Sequence, residues 1–367
     1  MNIEKFEASK YLGKIKETVK MAESLRSDKK NPQEVSLEEV CQEHLGVESL
    51  EDLFIDLGID PTIDTLEAIY TLPDSDVRWL IPELIREAIR LGLRDAPIWS
   101  AITAAEMSSS QLKVKMPYIN MSDAAPRKVG EAETIPTGTI SYGDKDVEVY
   151  KIGRGIKISY EVRNYVSLDV VSIFMQDFGI KLGMALDTLA IDTLINGDQA
   201  DGSESAPVVG IGVVNTKVYK DYLRLWIRGS RMGRNFSTIL GGENSAIETL
   251  DLPEFKERKS GTTDVTLNMK TPVPNSADYY VHGNIPSNQE LMVDTRFSLI
   301  KFNVIPLLIE SEKIVSNQTE AFYATLTTGF GKLFRDASII MDKSLAFSSN
   351  GFPTYFDVDA YQNVTID

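Results

Sequence analysis

The chain has 367 residues and carries 54 Asp and Glu against 38 Lys and Arg, a formal charge of −16. That surplus argues against a protein that works by neutralising phosphates, and a lone cysteine, Cys41, excludes an intrachain disulfide. No apolar run follows the first charges and no stretch of about 18 apolar residues occurs, so neither a secretory signal nor a membrane span is expected.

Residues 1–95 read as helical and charged. From Glu4 to Arg26, the residues Phe6, Tyr11, Leu12, Ile15, Val19 and Leu25 recur at near-helical spacing. Between Asn31 and Val77 there is no Lys or Arg; Glu34, Glu38, Glu39, Glu43, Glu48, Glu51, Asp52 and Asp56 are interleaved with Leu37, Val40, Leu50, Leu53 and Leu57. Short helices with a solvated acidic face account for this pattern. So does an assembly region that repels its own kind until a basic partner arrives. A stronger helix is predicted from Asp76 to Leu93, with Trp79, Leu80, Leu84, Ile85, Ala88 and Ile89 on one face and Pro82 in its first turns. Gly92 and Pro97 help to end it, and a domain boundary is expected near Asp95.

The texture then changes. Gln111 to Ile119 alternates like a strand, and residues 120–146 are polar, with Pro126, Gly130, Pro136, Gly138 and Gly143. So weak an apolar supply fills no core of its own, and long loops of this kind are usually functional. Strand-like flanks predict a protruding hairpin, about 12 residues per arm and roughly 40 Å long. An arm of that length needs something outside its own subunit to lie on. Val147 to Tyr160 is the return strand, with Tyr150, Ile152, Ile156, Ile158 and Tyr160 on one parity and a bend or bulge expected at Gly153 and Gly155.

Ser167 is placed to cap a helix from Leu168 to Ile195, closed by Asn196-Gly197-Asp198. It would be about 42 Å long, with an apolar stripe of Val171, Phe174, Phe178, Leu182, Ala185, Leu189 and Leu194. Gly179 and Gly183, four apart, suit close approach of a neighbour. The remainder reads as α+β: helices at Val218 to Ile227 and Ala246 to Leu250, strands at Ser237 to Leu240, Glu290 to Val293, Val304 to Ile309, Ala321 to Thr327 and Ala337 to Met341, and a helix at Asp294 to Ile300.

Chemistry is hard to find. Neither His44 nor His282 stands beside a glycine-framed nucleophile. One Cys and two distant His do not make a four-ligand zinc site, and Asn196, Asp198 and Asp201 lack the calcium-loop order. Gly153-Arg154-Gly155 and Gly210-Ile211-Gly212 lack the third glycine of a dinucleotide loop. No catalytic residue, metal or cofactor is assigned. The one basic cluster is Arg224, Arg228, Arg231 and Arg234, near Tyr222, Trp226 and Met232. Arg224 and Arg228 share a helix face, as do Arg231 and Arg234 if the helix continues. A solvated face and a contact with acidic groups of a neighbouring subunit or enclosed nucleic acid both fit.

One succession of parts carries a resemblance. A strand leads into a polar hairpin with Pro126-Arg127-Lys128-Val129-Gly130-Glu131 and Ile135-Pro136. The chain returns through Lys151-Ile152-Gly153-Arg154-Gly155-Ile156-Lys157-Ile158-Ser159-Tyr160-Glu161 and enters the long helix ending in Leu194-Ile195-Asn196-Gly197-Asp198. This order resembles the Hong Kong 97-type major capsid proteins of tailed phages. Leu291-Met292-Val293-Asp294, Val304-Ile305-Pro306-Leu307 and Ala321-Phe322-Tyr323-Ala324-Thr325 are compatible with the family's later strands, and the resemblance spans about residues 95–345.

The resemblance implies an α+β fold with a helical N-terminal arm or scaffold-like region (1–95), then a peripheral domain (96–200). That domain would hold the extended loop at about 119–147 and the spine helix at about 168–196. An axial domain, mostly 201–290, and a return to the peripheral domain with a C-terminal tail (291–367) would complete it. It implies a virion subunit, not an enzyme, assembled in the host cytoplasm into pentamers and hexamers around double-stranded DNA without sequence-specific contacts. Portal, scaffold and decoration proteins are further implied partners, and no membrane is. Arg127, Lys128, Glu131, Glu133 and Lys145 are the expected inter-subunit contacts. Some relatives cross-link through a hairpin lysine, but Lys128 and Lys145 have no matched acceptor and no such bond is expected. An encapsulin-like compartment shell and a cytosolic α+β hydrolase with an unrecognised carboxylate site are the alternatives.

Overall fold

The computed structural model describes residues 11, 14–28, 36–60, 63–65, 80–95, 98–120, 129–132, 135, 139–198, 205–231, 233–256 and 277–347. The fold is α+β. Helices α1 (Ile15–Asp28), α2 (Leu37–Leu45), α3 (Leu50–Asp56), α4 (Leu80–Arg94) and α5 (Ile98–Ala101) come first. Strands β1 (Thr103–Ser108), β2 (Lys113–Asn120), β3 (Thr139–Glu148) and β4 (Tyr150–Ser159) lead to α6 (Tyr160–Tyr165) and α7 (Leu168–Asn196). Then come β5 (Val208–Ile211), α8 (Tyr219–Arg231), β6 (Thr238–Gly241), α9 (Glu243–Leu250), α10 (Pro253–Lys256), β7 (Asp278–Val281) and β8 (Gln289–Val293). Strands β9 (Leu299–Ile314), β10 (Thr319–Lys332) and β11 (Ser338–Ala346) end the described chain.

The contacts divide the chain into two compact units. The first gathers Met1–Pro97, Tyr150–Asp187 and Asn303–Thr328. Its short acidic helices form where local chemistry directs them. Ser36 Oγ accepts from the Glu38 amide at 3.2 Å, Glu38 and Glu39 sit in the positive first turn of α2, and Gly46 closes it at φ +71°. The Ser49 hydroxyl accepts from the Asp52 amide at 3.1 Å and opens α3. These helices do not stand apart as an arm. Ile15, Val19, Leu37, Leu53, Ile85 and Ile89 share one core with Val171, Met175 and Phe178 of α7 and with Ile158 and Phe322 of the sheet.

Helix α7 has nearly the expected bounds, but its buried face is Leu168, Val171, Met175, Phe178, Leu182 and Leu186. Phe174, expected on that stripe, is 59% exposed, beside Ile173 at 64%. It lies one residue, about 100°, around the helix from Met175. The glycine expectation holds at Gly179: a Cβ there would fall 2.2 Å from the Ile89 carbonyl oxygen of α4. The contact is reciprocal, since a Cβ on Gly92 of α4 would fall 2.0 Å from the Gln176 carbonyl oxygen of α7.

Strand β4 pairs antiparallel with β10 from Tyr150↔Thr328 to Ser159↔Thr319 without a register shift. The bulge expected at Gly153 and Gly155 is therefore absent. These glycines face Thr325 and Tyr323, whose side chains would lie 2.7 Å and 2.6 Å from an added Cβ. They leave room for larger residues across the ladder.

The second unit gathers Ile98–Val149, Thr188–Phe302 and Gly329–Asp367. Its five-stranded sheet has the order β5-β11-β8-β6-β7, with β5 parallel to β11, β6 parallel to β7 and the other pairs antiparallel. Tyr222 and Leu225 of α8 and Ala246 of α9 pack with Ile239, Met292, Ile339 and Met341 of the sheet. The helix expected at Asp294–Ile300 is replaced by a turn. Asp294 accepts from the amides of Asn235 (2.9 Å) and Arg296 (3.2 Å) and from the Arg296 guanidinium (2.9 and 3.0 Å). A carboxylate bonded to the backbone near it competes with helix formation.

Replacing Gly179 with Val should lower unfolding free energy by about 3 kcal/mol, because the clash is with backbone that cannot rotate away. Gly283, with open space around an added Cβ, is the control, and its Ala variant should stay within about 0.5 kcal/mol of the parent. Urea unfolding of the two variants checks this; equal losses would contradict it.

Candidate assembly elements

Strands β2 and β3 pair antiparallel from Lys113↔Glu148 to Asn120↔Thr139 and form a sheet of two strands that no third joins among the described residues. The register shifts between Lys115 and Pro117, as befits a residue with no amide hydrogen to offer the ladder. The foot of the ribbon is anchored. Val147 is buried with Ile300 and Phe302, and Val114 packs against them. Farther out, Glu131, Ala132 and Ile135 are exposed, and Ala132 takes φ +66°. The paired arms are about 25–30 Å long at roughly 3.3 Å per residue. A lone two-stranded ribbon is at best marginally stable in water.

Of the expected contact residues, Glu131 stands in the exposed turn and Lys145 is part of β3, in the stretch where the register shifts. Arg127, Lys128 and Glu133 lie outside the described residues.

The basic cluster is not one face. Helix α8 carries Arg224, exposed, with its guanidinium 3.1 Å from Asp221 and 5.2 Å from the Phe347 ring centroid. Arg228 is half-buried and Arg231 ends the helix. The helix does not continue to Arg234. The backbone turns at Gly233 (φ +74°), and Arg234 makes two bonds of 2.8 Å to Asp336 while lying over the rings of Phe297 and Phe334. Its cation is committed to its own chain.

A buried polar cluster in the second unit has no counterpart in the sequence reading. The Lys217 ammonium, just before α8, donates to Ser245 Oγ and Thr249 Oγ1 of α9, to the Ser245 carbonyl, and to Glu290 Oε1 of β8 at 2.8 Å. The Tyr222 and Tyr279 hydroxyls donate to Glu290 at 2.5 and 2.8 Å. Burial, and then the Glu290 charge, hold both phenols well above their ordinary range, so both stay protonated as donors. The lysine and glutamate side chains are 3% and 0% exposed. Dry and densely hydrogen-bonded, the cluster ties α8, α9, β7 and β8 together. A glutamate heading the apolar run Leu291-Met292-Val293 was its one sequence signal. Its cation is 73 residues distant, so the pairing was not legible.

Lys301 of β9 is buried differently. Its ammonium lies 3.7 Å from the Trp99 ring centroid and 3.8 Å from Glu106, with no hydrogen bond among the described residues. Burial pulls its pKa down to about 8, and Glu106 opposes part of that shift.

No protein-family model matches this sequence, and no curated protein does. Among the solved structures to which the chain is similar are particles and capsids. The virus-like particle from Pyrococcus furiosus is 10% identical, over 71% of this chain and 98% of that one, with a TM-score of 0.46. The capsid of the native GTA particle, computed with C5 symmetry, is 11% identical over 67% and 90%, with a TM-score of 0.49. The phage G gp27 major capsid proteins, solved with gp26 decoration proteins, are 10% identical over 66% and 88%, with a TM-score of 0.42.

Lys301→Met supplies a prediction with a definite pH dependence. The lysine titrates near 8 when folded and near 10.5 when unfolded, so between those values the unfolded chain holds more protons and stability rises with pH. Below 8 the folded state carries the full burden of a desolvated cation. The Met variant should therefore be more stable than the parent at pH 7, by about 2 kcal/mol, and the gain should shrink as pH approaches 10.5. Denaturant titrations of both proteins at pH 7 and pH 10 check it, and a pH-independent difference would contradict it.

Proposed function

We propose that the chain is the structural subunit of an icosahedral capsid, whose copies form pentamers and hexamers and enclose double-stranded DNA. The observation that carries this reading is the β2–β3 ribbon: a long two-stranded extension, packed at its foot and, among the described residues, joined to no other sheet. Such a ribbon gains stability by lying on another molecule, and a second copy of the same chain is always at hand. The succession from ribbon to β4 to the 29-residue α7 is the order on which the sequence resemblance rests.

In this reading residues 96–200 and the return at 291–367 supply the peripheral domain with α7 as its spine, residues 1–95 an arm or scaffold-like region, and residues 201–290 most of the axial domain. The buried Lys217–Glu290 cluster keeps the latter rigid. Arg127, Lys128, Glu131, Glu133 and Lys145 make the contacts between copies. The charge of −16 keeps free subunits soluble and slows premature association. A standard interface buries roughly 1,600 Å², and each shell subunit makes several. The virion is the site of action and the host cytoplasm the site of assembly, with portal, scaffold and decoration proteins as further partners.

Size-exclusion chromatography and negative-stain microscopy of the purified chain should show closed particles, with nuclease-protected DNA in those made during infection. Elution as a small oligomer at all concentrations would overturn the proposal. Particles filled with protein would point to a compartment shell instead. Reversing charge in Arg127→Glu/Lys128→Glu should leave circular dichroism and Tm at parental values while closed shells become rare. Normal shells from that variant would remove the ribbon from its assigned role.

A further inference from the structure

We propose that a groove in the first unit binds an amphipathic helix with basic flanks, supplied by a partner protein. A partly open cavity of about 510 Å³ lies among α2, α3, α4 and the start of α7, a volume typical of ligand sites. Its floor is apolar, built from Leu50, Phe54, Leu84, Ile85, Val171 and Met175. Among the described residues its polar lining consists of Glu38, Glu87 and Asp169 with two serines, and neither Lys nor Arg contributes to it.

Glu87 gives the groove its direction. One carboxylate oxygen accepts from the Arg90 guanidinium at 2.6 Å, while Oε2 is buried and accepts no hydrogen bond among the described residues. A buried acceptor left without a donor costs the fold its desolvation energy. Leu91, 44% exposed, extends the apolar surface at the edge.

An apolar trough walled by helices and edged with carboxylates complements a helix that presents aliphatic residues at i, i+3, i+4 and i+7 between lysines or arginines. The other occupants fit less well. A small apolar molecule leaves the carboxylates of the lining without a counter-charge. A second copy's acidic helical region, with no Lys or Arg between Asn31 and Val77, brings like charge to the rim. This inference is independent of the shell reading, since a chain that builds no particles can still bind such a helix.

The test uses the purified full-length chain and a fluorescent Leu/Lys peptide about 18 residues long, five turns at roughly 3.6 residues each, with its leucines on one face. A scrambled peptide of the same composition measures non-specific attraction to an acidic protein, and a Glu-for-Lys version measures the charge requirement. The patterned Lys peptide should bind at least about tenfold more tightly than either control. It should lose about thirtyfold in affinity with the Glu38→Gln/Glu87→Gln/Asp169→Asn variant, from removal of the charge pairs. Hydrogen-exchange protection should map to residues 84–91 and 168–175, and the variant's circular dichroism should match the parent's. Equal binding of the scrambled peptide, undiminished binding by the variant, or protection elsewhere would overturn the proposal. Concentration-dependent protection of the groove without peptide would assign it to a second copy and overturn it as well.

Discussion

Two helix backbones meet at Gly92 and Gly179, and the first unit is organised around that meeting. Each glycine removes the one atom that would hold the other helix away. Glycine inside a helix costs about 1 kcal/mol relative to alanine, and here the close approach returns it as packing. It sets α4 against α7 so that Ile85 and Ile89 mesh with Met175 and Phe178, and α1 to α3 close over the same core. The Gln176 side-chain amide, donating to Asp95 at 2.9 Å, fastens the end of the crossing.

The two buried lysines show how differently one charge is accommodated within the second unit. Lys217 has acceptors on every side and a carboxylate at 2.8 Å, an arrangement that orders its neighbours. Lys301 has an aromatic face and a distant glutamate, and its charge is a burden below pH 8. The cluster at Glu290 thereby fixes α8, α9, β7 and β8 to one another.

Patterns confined to a few turns of chain were legible in the sequence. The ends of α7 followed from Ser167 and Asn196-Gly197, the ribbon from its proline- and glycine-rich polar run, and the helix approach from Gly179. What was missed depends on partners far away in sequence. Gly153 and Gly155 looked like breaks because Thr325 and Tyr323 across the ladder were not visible. Arg234 looked like a surface cation because Asp336 was 102 residues away. Phe174 looked buried because an apolar stripe fixes a helix face only to within about a residue's rotation. The strand Thr103–Ser108 was passed over because Thr-Ala-Ala-Glu-Met-Ser has small and polar residues where strands usually carry β-branched ones. The core that Ile15 and Leu37 enter was not legible, because composition reports charge and not packing.

The first unit is stitched from three separated stretches, the last ending at Thr328. During translation its opening helices must wait for about 230 further residues before their core can close, on the order of tens of seconds at roughly 5–20 residues per second. Through that interval the apolar sides of α1 to α4 have no finished partner. Acidity without a single Lys or Arg between Asn31 and Val77 gives the nascent helices mutual repulsion on crowded polysomes, where many copies emerge side by side.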